Sequence, residues 1–222
     1  SIAKKIVELV QTNSLGELGR LFAYALAELY YEKTLGIKTL GYLDQHELAL
    51  ANRDSSFYAA TAYWDFRKAM SLISISREKD VFLDYGSGMG RAVIMAGTYP
   101  FARVLGVEVS EKLNDIASDN LQRAKKKLKC SDIQLTCGDA GTFEVPRDVT
   151  VVYMYNPFRN DLLVKVLDNI YESLRQRPRN LRLIFKNTTH FEKIAHRCTW
   201  LQPFRSFKCV TGHKCMIMRG RV

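Results

Sequence analysis

The sequence predicts an α/β protein: a doubly wound, mostly parallel sheet set behind a helical N-terminal part. Three observations carry that expectation. The first third has apolar residues at helical spacing, the middle alternates short apolar runs with helical stretches, and two strand-like runs flank Thr211-Gly212-His213 near the end. At 222 residues the chain can bury a sizeable core in one large domain, and 47% hydrophobic with 25% charged residues excludes a disordered or collagenous chain.

Taken in order, Ile6, Leu9 and Val10, then Leu18, Leu21, Phe22, Ala25, Leu26, Leu29 and Tyr30, predict two helices over residues 2 to 33. A polar Thr12-Asn13-Ser14 stretch separates them, and Ser14 with Glu17 three residues on forms a capping box for the second. Periodicity stops around Gly36 and Gly41, so residues 34 to 56 read as a connection with one helical turn at most. A further helix is expected over 57 to 75, with Tyr58, Ala62, Phe66, Ala69, Met70 and Ile73 on one face. Strands are expected at Val81 to Tyr85, Arg103 to Val109, Ile133 to Cys137, Val149 to Tyr155 and Leu181 to Lys186, with helices over 90 to 98, 111 to 127 and 160 to 176. Ser206 to Val210 and Lys214 to Arg219 complete a hairpin. The chain thus divides into a helical cap, residues 1 to 75, and an α/β domain, residues 76 to 222.

Charge and cysteine usage narrow the setting. The chain has 33 Lys plus Arg against 23 Asp plus Glu, a formal +10, and five cysteines with no C-x-x-C pair. A disulfide framework or zinc site is not signalled, and a reducing, intracellular and cytoplasmic setting is expected. No apolar run approaches the roughly 20 residues of a membrane-spanning helix, because Arg20, Glu28 and Glu32 interrupt the most apolar early region. The first residues, Ser-Ile-Ala-Lys-Lys, lack both an initiating Met and a signal-peptide core, so residues are expected to be missing upstream. His46, His190, His196 and His213 have no ligand spacing, and no metal is expected.

The sharpest motif is Val81-Phe82-Leu83-Asp84-Tyr85-Gly86-Ser87-Gly88-Met89-Gly90-Arg91, a buried strand running into glycines that open a helix. Glycine lets a backbone approach a ligand where a Cβ would collide, and open α/β sheets bind ligands beyond the carboxyl ends of their strands. A dinucleotide fingerprint needs glycine at position 91, where Arg91 stands, so a diphosphate is disfavoured. The Asp84 carboxylate suits a cationic ligand instead. Glu108 ends the next strand, where it can accept both hydroxyls of a ribose, and Asp139 in Gly138-Asp139-Ala140 can accept from an exocyclic amine. Asn156-Pro157-Phe158 follows the fourth strand on the same edge.

These residues resemble the class I S-adenosylmethionine-dependent methyltransferases over about residues 57 to 186, and more narrowly the branch containing Dot1-like protein lysine methyltransferases and related bacterial N-methyltransferases. The resemblance implies a Rossmann-like seven-stranded sheet with a C-terminal antiparallel hairpin. It implies S-adenosyl-L-methionine as cofactor and S-adenosyl-L-homocysteine as product. It places Asp84, Gly86, Ser87, Gly88 and Gly90 around the amino acid part, Glu108 at the ribose, Asp139 and Ala140 at the adenine, and Tyr58, Thr61 and Asn156 as further contacts. Asn156-Pro157-Phe158 resembles the [DNS]-P-P-[YFW] loop of amino-group methyltransferases, with Asn156, Pro157 and Phe158 as catalytic residues. It departs in having Phe158 at the second proline position and Arg159 at the aromatic one.

The expected reaction is in-line methylation of an amine, in a protein lysine side chain or a small molecule. A nucleic-acid methyltransferase and a non-catalytic cofactor-binding module are the alternatives. Two basic clusters, Arg123, Lys125, Lys126, Lys127 and Lys129, and Arg175, Arg177, Arg179 and Arg182, form solvated faces or anchor an anionic partner.

Overall fold

A computed structural model of the protein describes residues 15–43 and 58–222. The helix expected over residues 2 to 12, the Ser14 cap and residues 44 to 56 of the connection lie outside the described residues. The described chain begins with α1 (Leu15–Leu35), followed by β1 (Tyr42–Leu43), β2 (Tyr58–Ala59) and α2 (Tyr63–Ser71). The α/β part then runs β3 (Val81–Tyr85), α3 (Arg91–Gly97), β4 (Arg103–Glu108), α4 (Glu111–Ala124), β5 (Ile133–Cys137), β6 (Val149–Tyr155), α5 (Asn160–Gln176) and β7 (Leu181–Lys186). It closes with α6 (Thr189–Ile194), β8 (Leu201–Lys208) and β9 (Lys214–Gly220).

One seven-stranded sheet has the order β5-β4-β3-β6-β7-β9-β8. Its first five members are parallel, and β9 runs antiparallel to both β7 and β8. From β3 the chain winds outward to β4 and β5, then returns to the other side of β3 as β6. That reversal makes a topological switch point at the carboxyl ends of β3 and β6, where open α/β sheets leave a crevice. All five residues of β3 are buried, as befits a central strand covered on both faces. Leu83, Tyr85, Val152 and Met154 face one core with α5, while Phe82, Val151 and Tyr153 face the other with α2 and α3. On α5 the inward residues Leu163, Val166, Leu167, Ile170 and Leu174 follow the helical repeat.

Departures from the sequence expectation have local causes. The helix expected over 57 to 75 is only Tyr63–Ser71, because Ala62 is extended at ψ 135° and residues 58 and 59 pair with β1. Its first amide, Tyr63 N, donates at 2.9 Å to a Glu28 carboxylate oxygen from α1, so the cap comes from a distant element. Strand β8 starts five residues before the expected Ser206, accommodating Pro203 on the sheet's edge, where a missing ladder donor is tolerated and the register shifts. Helix α6 was not anticipated; six residues are too few to show a period.

Candidate functional site

At the carboxyl end of β3 the chain turns through Gly86, Ser87, Gly88, Met89 and Gly90 into α3. Gly86, Gly88 and Gly90 take φ of 70°, 54° and 82°, left-handed values that glycine adopts without penalty. A Cβ at Gly86 would stand 2.6 Å from Cβ of Pro157, and one at Gly90 would stand 3.0 Å from Cβ of Ala117. The glycines therefore let the loop after β6 close on the loop after β3, and let α4 approach the start of α3.

Asp84 is 4% exposed and lines a cavity of about 30 Å³ with Thr61, Ser87, Tyr153, Tyr155 and Arg91, the last ion-paired with Glu28 and Glu32. That is room for one water or one ammonium-sized group. Burial, then the nearby charge of Glu108, holds the Asp84 carboxyl well above its ordinary proton affinity. The buried Ser87 Oγ has no partner within the described residues. A desolvated acid and an orphan hydroxyl facing a small void are suited to a cationic, hydrogen-bonding ligand.

Glu108 ends β4, 7% exposed. Its Oε2 accepts from Gly88 N at 2.8 Å and its Oε1 from Ser110 N at 2.9 Å. Burial raises its proton affinity, and the amides of Ser110, Gly88 and Val109 oppose that rise. A carboxylate offers about four lone-pair sites, so Glu108 keeps acceptor capacity beyond these backbone amides. The Glu108 carbonyl receives Gly138 N at 2.9 Å, which draws the end of β5 alongside. Asp139 is exposed and spends Oδ1 on Gly141 N at 2.8 Å, closing a turn, while Ala140 is buried.

Asn156 leaves β6 at φ 47°, a left-handed conformation that asparagine tolerates better than most side chains. Pro157 rests on Gly86, whereas Phe158 is 6% exposed and packs edge-on against Tyr85 with ring centroids 6.0 Å apart. Phe158 thus sits in the core under the loop. Tyr153 is fully packed and shares a 2.6 Å hydrogen bond with Thr61 Oγ1, fixing the segment that covers Asp84. Tyr58 is placed by backbone pairing with Leu43.

Three groups around this site carried little signal in the sequence. Arg91, the first residue of α3, is 3% exposed and forms ion pairs with Glu28 and Glu32 of α1. It also donates to Thr61 O at 2.9 Å and Thr39 Oγ1 at 2.6 Å, and its guanidinium lies 4.5 Å from the Tyr63 ring centroid. Asp65 of α2 pairs with Lys186 at 3.0 Å, and the Lys186 ammonium lies 4.2 Å from the Tyr155 ring centroid while donating to Thr61 Oγ1 at 3.2 Å. Paired glutamates four apart in an otherwise apolar helix were the available clue to Arg91's partners. Lys186 had none, being the last residue of an ordinary strand.

Of the basic clusters, the second is partly internal: Arg182 is 6% exposed against Asp80, and Arg179 donates to the carbonyls of Val149 and Ser173. The first lies at the end of α4 and in the following turn. Among the described residues no group of three or more His, Cys, Asp or Glu is arranged to hold a metal ion, and no helix is long and apolar enough to cross a membrane.

Comparison with known proteins agrees with this geometry. Residues 82–177 match a family model described as a methyltransferase domain. No curated protein matches the chain. Among solved structures, an RNA methyltransferase from Salinibacter ruber in complex with S-adenosyl-L-homocysteine is 21% identical, with a TM-score of 0.54 over 72% of this chain and 93% of that one. A TehB-like S-adenosylmethionine-dependent methyltransferase from Corynebacterium glutamicum is 16% identical, with a TM-score of 0.54 over 89% and 99%. An O-methyltransferase from Thermotoga maritima is 14% identical, with a TM-score of 0.57 over 74% and 67%. At these identities the likeness is one of fold, and the acceptors named differ between neighbours. Residues 82–177 thus resemble a methyltransferase domain, and the chain shares its fold with solved S-adenosylmethionine-dependent methyltransferases.

Proposed function

We propose that the protein is an S-adenosylmethionine-dependent methyltransferase that methylates an amine nitrogen, of a protein lysine or a small molecule. The observation that carries the reading is the buried Asp84 carboxyl, raised in proton affinity and facing an ammonium-sized void at the switch point between β3 and β6. A positively charged ligand head stabilises the ionised form of such an acid.

In this reading Asp84 receives the ligand's α-ammonium, with Ser87 Oγ beside it. Gly86, Gly88 and Gly90 keep the loop free of Cβ atoms, Glu108 offers its remaining lone pairs to the ribose hydroxyls, and Asp139 Oδ2 with Ala140 meets the adenine. Tyr58 and Thr61 belong to the cover, so residues 1 to 75 act as a cap and 76 to 222 as the cofactor domain. The bound cofactor supplies an electrophilic methyl on a sulfonium. Asn156 Oδ1 and the Pro157 carbonyl accept hydrogen bonds from the acceptor amine, aiming its lone pair along the transfer axis. Phe158 holds that loop from below by packing on Tyr85. Alignment and exclusion of water are the main contributions asked of the protein, and good alignment is worth up to roughly 7 to 11 kcal/mol.

The test is incubation of cell extract with the protein and isotopically labelled S-adenosylmethionine, followed by mass spectrometry of whatever gains the label. The labelled group should be an amine. Asn156→Ala should keep affinity for S-adenosylhomocysteine and lose labelling; unchanged labelling would remove Asn156 from the mechanism, and label on oxygen or carbon would end the amine assignment.

A further inference from the structure

Helix α1 is inside out. Its two described carboxylates, Glu28 at 4% and Glu32 at 8% exposure, point into the protein onto Arg91, joined on that face by Tyr31 stacked on Tyr63. Five of its large apolar side chains point the other way: Phe22 is 67% exposed, Leu26 51%, Leu29 59% and Tyr30 63%, with Leu21 at 41%. These positions recur at intervals of three and four, which makes one continuous stripe along the helix. Leu40 and Trp64 are the other strongly exposed apolar residues of the described cap. An outward stripe of this kind marks an interaction surface.

Charge identifies the partner. Every acidic residue described between positions 21 and 71, namely Glu28, Glu32 and Asp65, is buried in an ion pair. Lys33, Lys38, Arg67 and Lys68 of the same region are exposed. Between positions 21 and 71 the described residues therefore expose cationic groups and no carboxylate, on a chain of formal charge +10. Leucine, phenylalanine and tyrosine on one helix face, bordered by lysine and without carboxylates, are the groups that settle into the headgroup region of an anionic bilayer. A second copy of this chain would set the same cationic groups against each other, whereas an anionic lipid surface neutralises them while taking up the apolar stripe. We infer that the outward face of α1 docks the protein on an anionic membrane surface, the helix lying in the interface rather than crossing it.

This inference is independent of the methyl-transfer reading, although the two meet in one helix: the face opposite the stripe holds Arg91 beside the glycine loop. The test is sedimentation of the full chain with vesicles of phosphatidylcholine, with and without phosphatidylserine. The wild type should sediment with the phosphatidylserine vesicles and be released by added salt. A Phe22→Asp/Leu26→Asp variant should partition about tenfold or more weakly, while titration with S-adenosylhomocysteine gives the same result as for the wild type, which reports an intact fold. A wild-type chain that stays in the supernatant would overturn the inference. So would a dimer in light scattering that the double substitution splits, since the stripe would then belong to a second copy of this chain.

Discussion

Replacing Arg91 by Met removes one guanidinium and strands two carboxylates. Glu28 and Glu32 have side chains 5% and 10% exposed, and both are ion-paired with Arg91. Breaking a buried pair by deleting one partner costs about 3 to 5 kcal/mol, because the survivor keeps its desolvation penalty and loses its counter-charge. Against a typical total stability of about 5 to 15 kcal/mol, that is a large fraction. At about 2 to 4 °C per kcal/mol for a domain of this size, the melting temperature should fall by roughly 6 to 20 °C in calorimetry. The partner substitutions give the argument its control. Glu28→Gln and Glu32→Gln on the Arg91→Met background should recover part of the loss, since a neutral amide is less costly to bury than an unpaired carboxylate. A fall below about 1 kcal/mol, or no recovery in the triple variant, would refute the claim that this network clamps α1 onto the glycine loop.

Further outcomes follow from the same contacts. In the ligand-free protein Asp84 holds its proton to higher pH than in the unfolded chain, through burial and the Glu108 charge. Its contribution to stability is therefore lost as pH rises above the unfolded value of about 3.9. Asp84→Asn should be more stable than the wild type toward urea at neutral pH and similar to it near pH 3; equal stability at both would contradict the burial of this acid. Gly86→Ala should destabilise by about 1 to 3 kcal/mol, since φ is 70° and the new Cβ would meet Pro157 at 2.6 Å; wild-type unfolding would show that the two loops do not close on each other.

The α/β part was legible because its signals are local. Each of β3, β6 and β7 is a largely apolar run, β5 alternates apolar and polar residues as an edge strand does, and the glycines at 86, 88 and 90 announce a strand-to-helix turn. The seven-stranded, mostly parallel sheet with its antiparallel C-terminal hairpin agrees with the expected architecture. The helical N-terminal part resisted reading because its polar residues answer to partners far away in sequence. Glu28 looked like an interruption in an apolar stretch, whereas it caps α2 at Tyr63 N and pairs with Arg91, 63 positions on. Arg91 looked only like a departure from a dinucleotide fingerprint. Phe158 read as a catalytic residue from its motif position, whereas its side chain packs in the core against Tyr85, a placement that motif position alone does not announce.

The central claim is that the carboxyl ends of β3 and β4 bind a sulfur-bearing nucleoside through Asp84 and Glu108. Calorimetric titration of the full chain with S-adenosylhomocysteine and with NAD tests it most directly. Saturable binding of S-adenosylhomocysteine is expected, with no heat from NAD. Asp84→Asn should weaken that binding by about 10- to 150-fold, the value of a hydrogen bond to a charged group. Binding of NAD in preference, or S-adenosylhomocysteine affinity indifferent to Asp84→Asn, would contradict it.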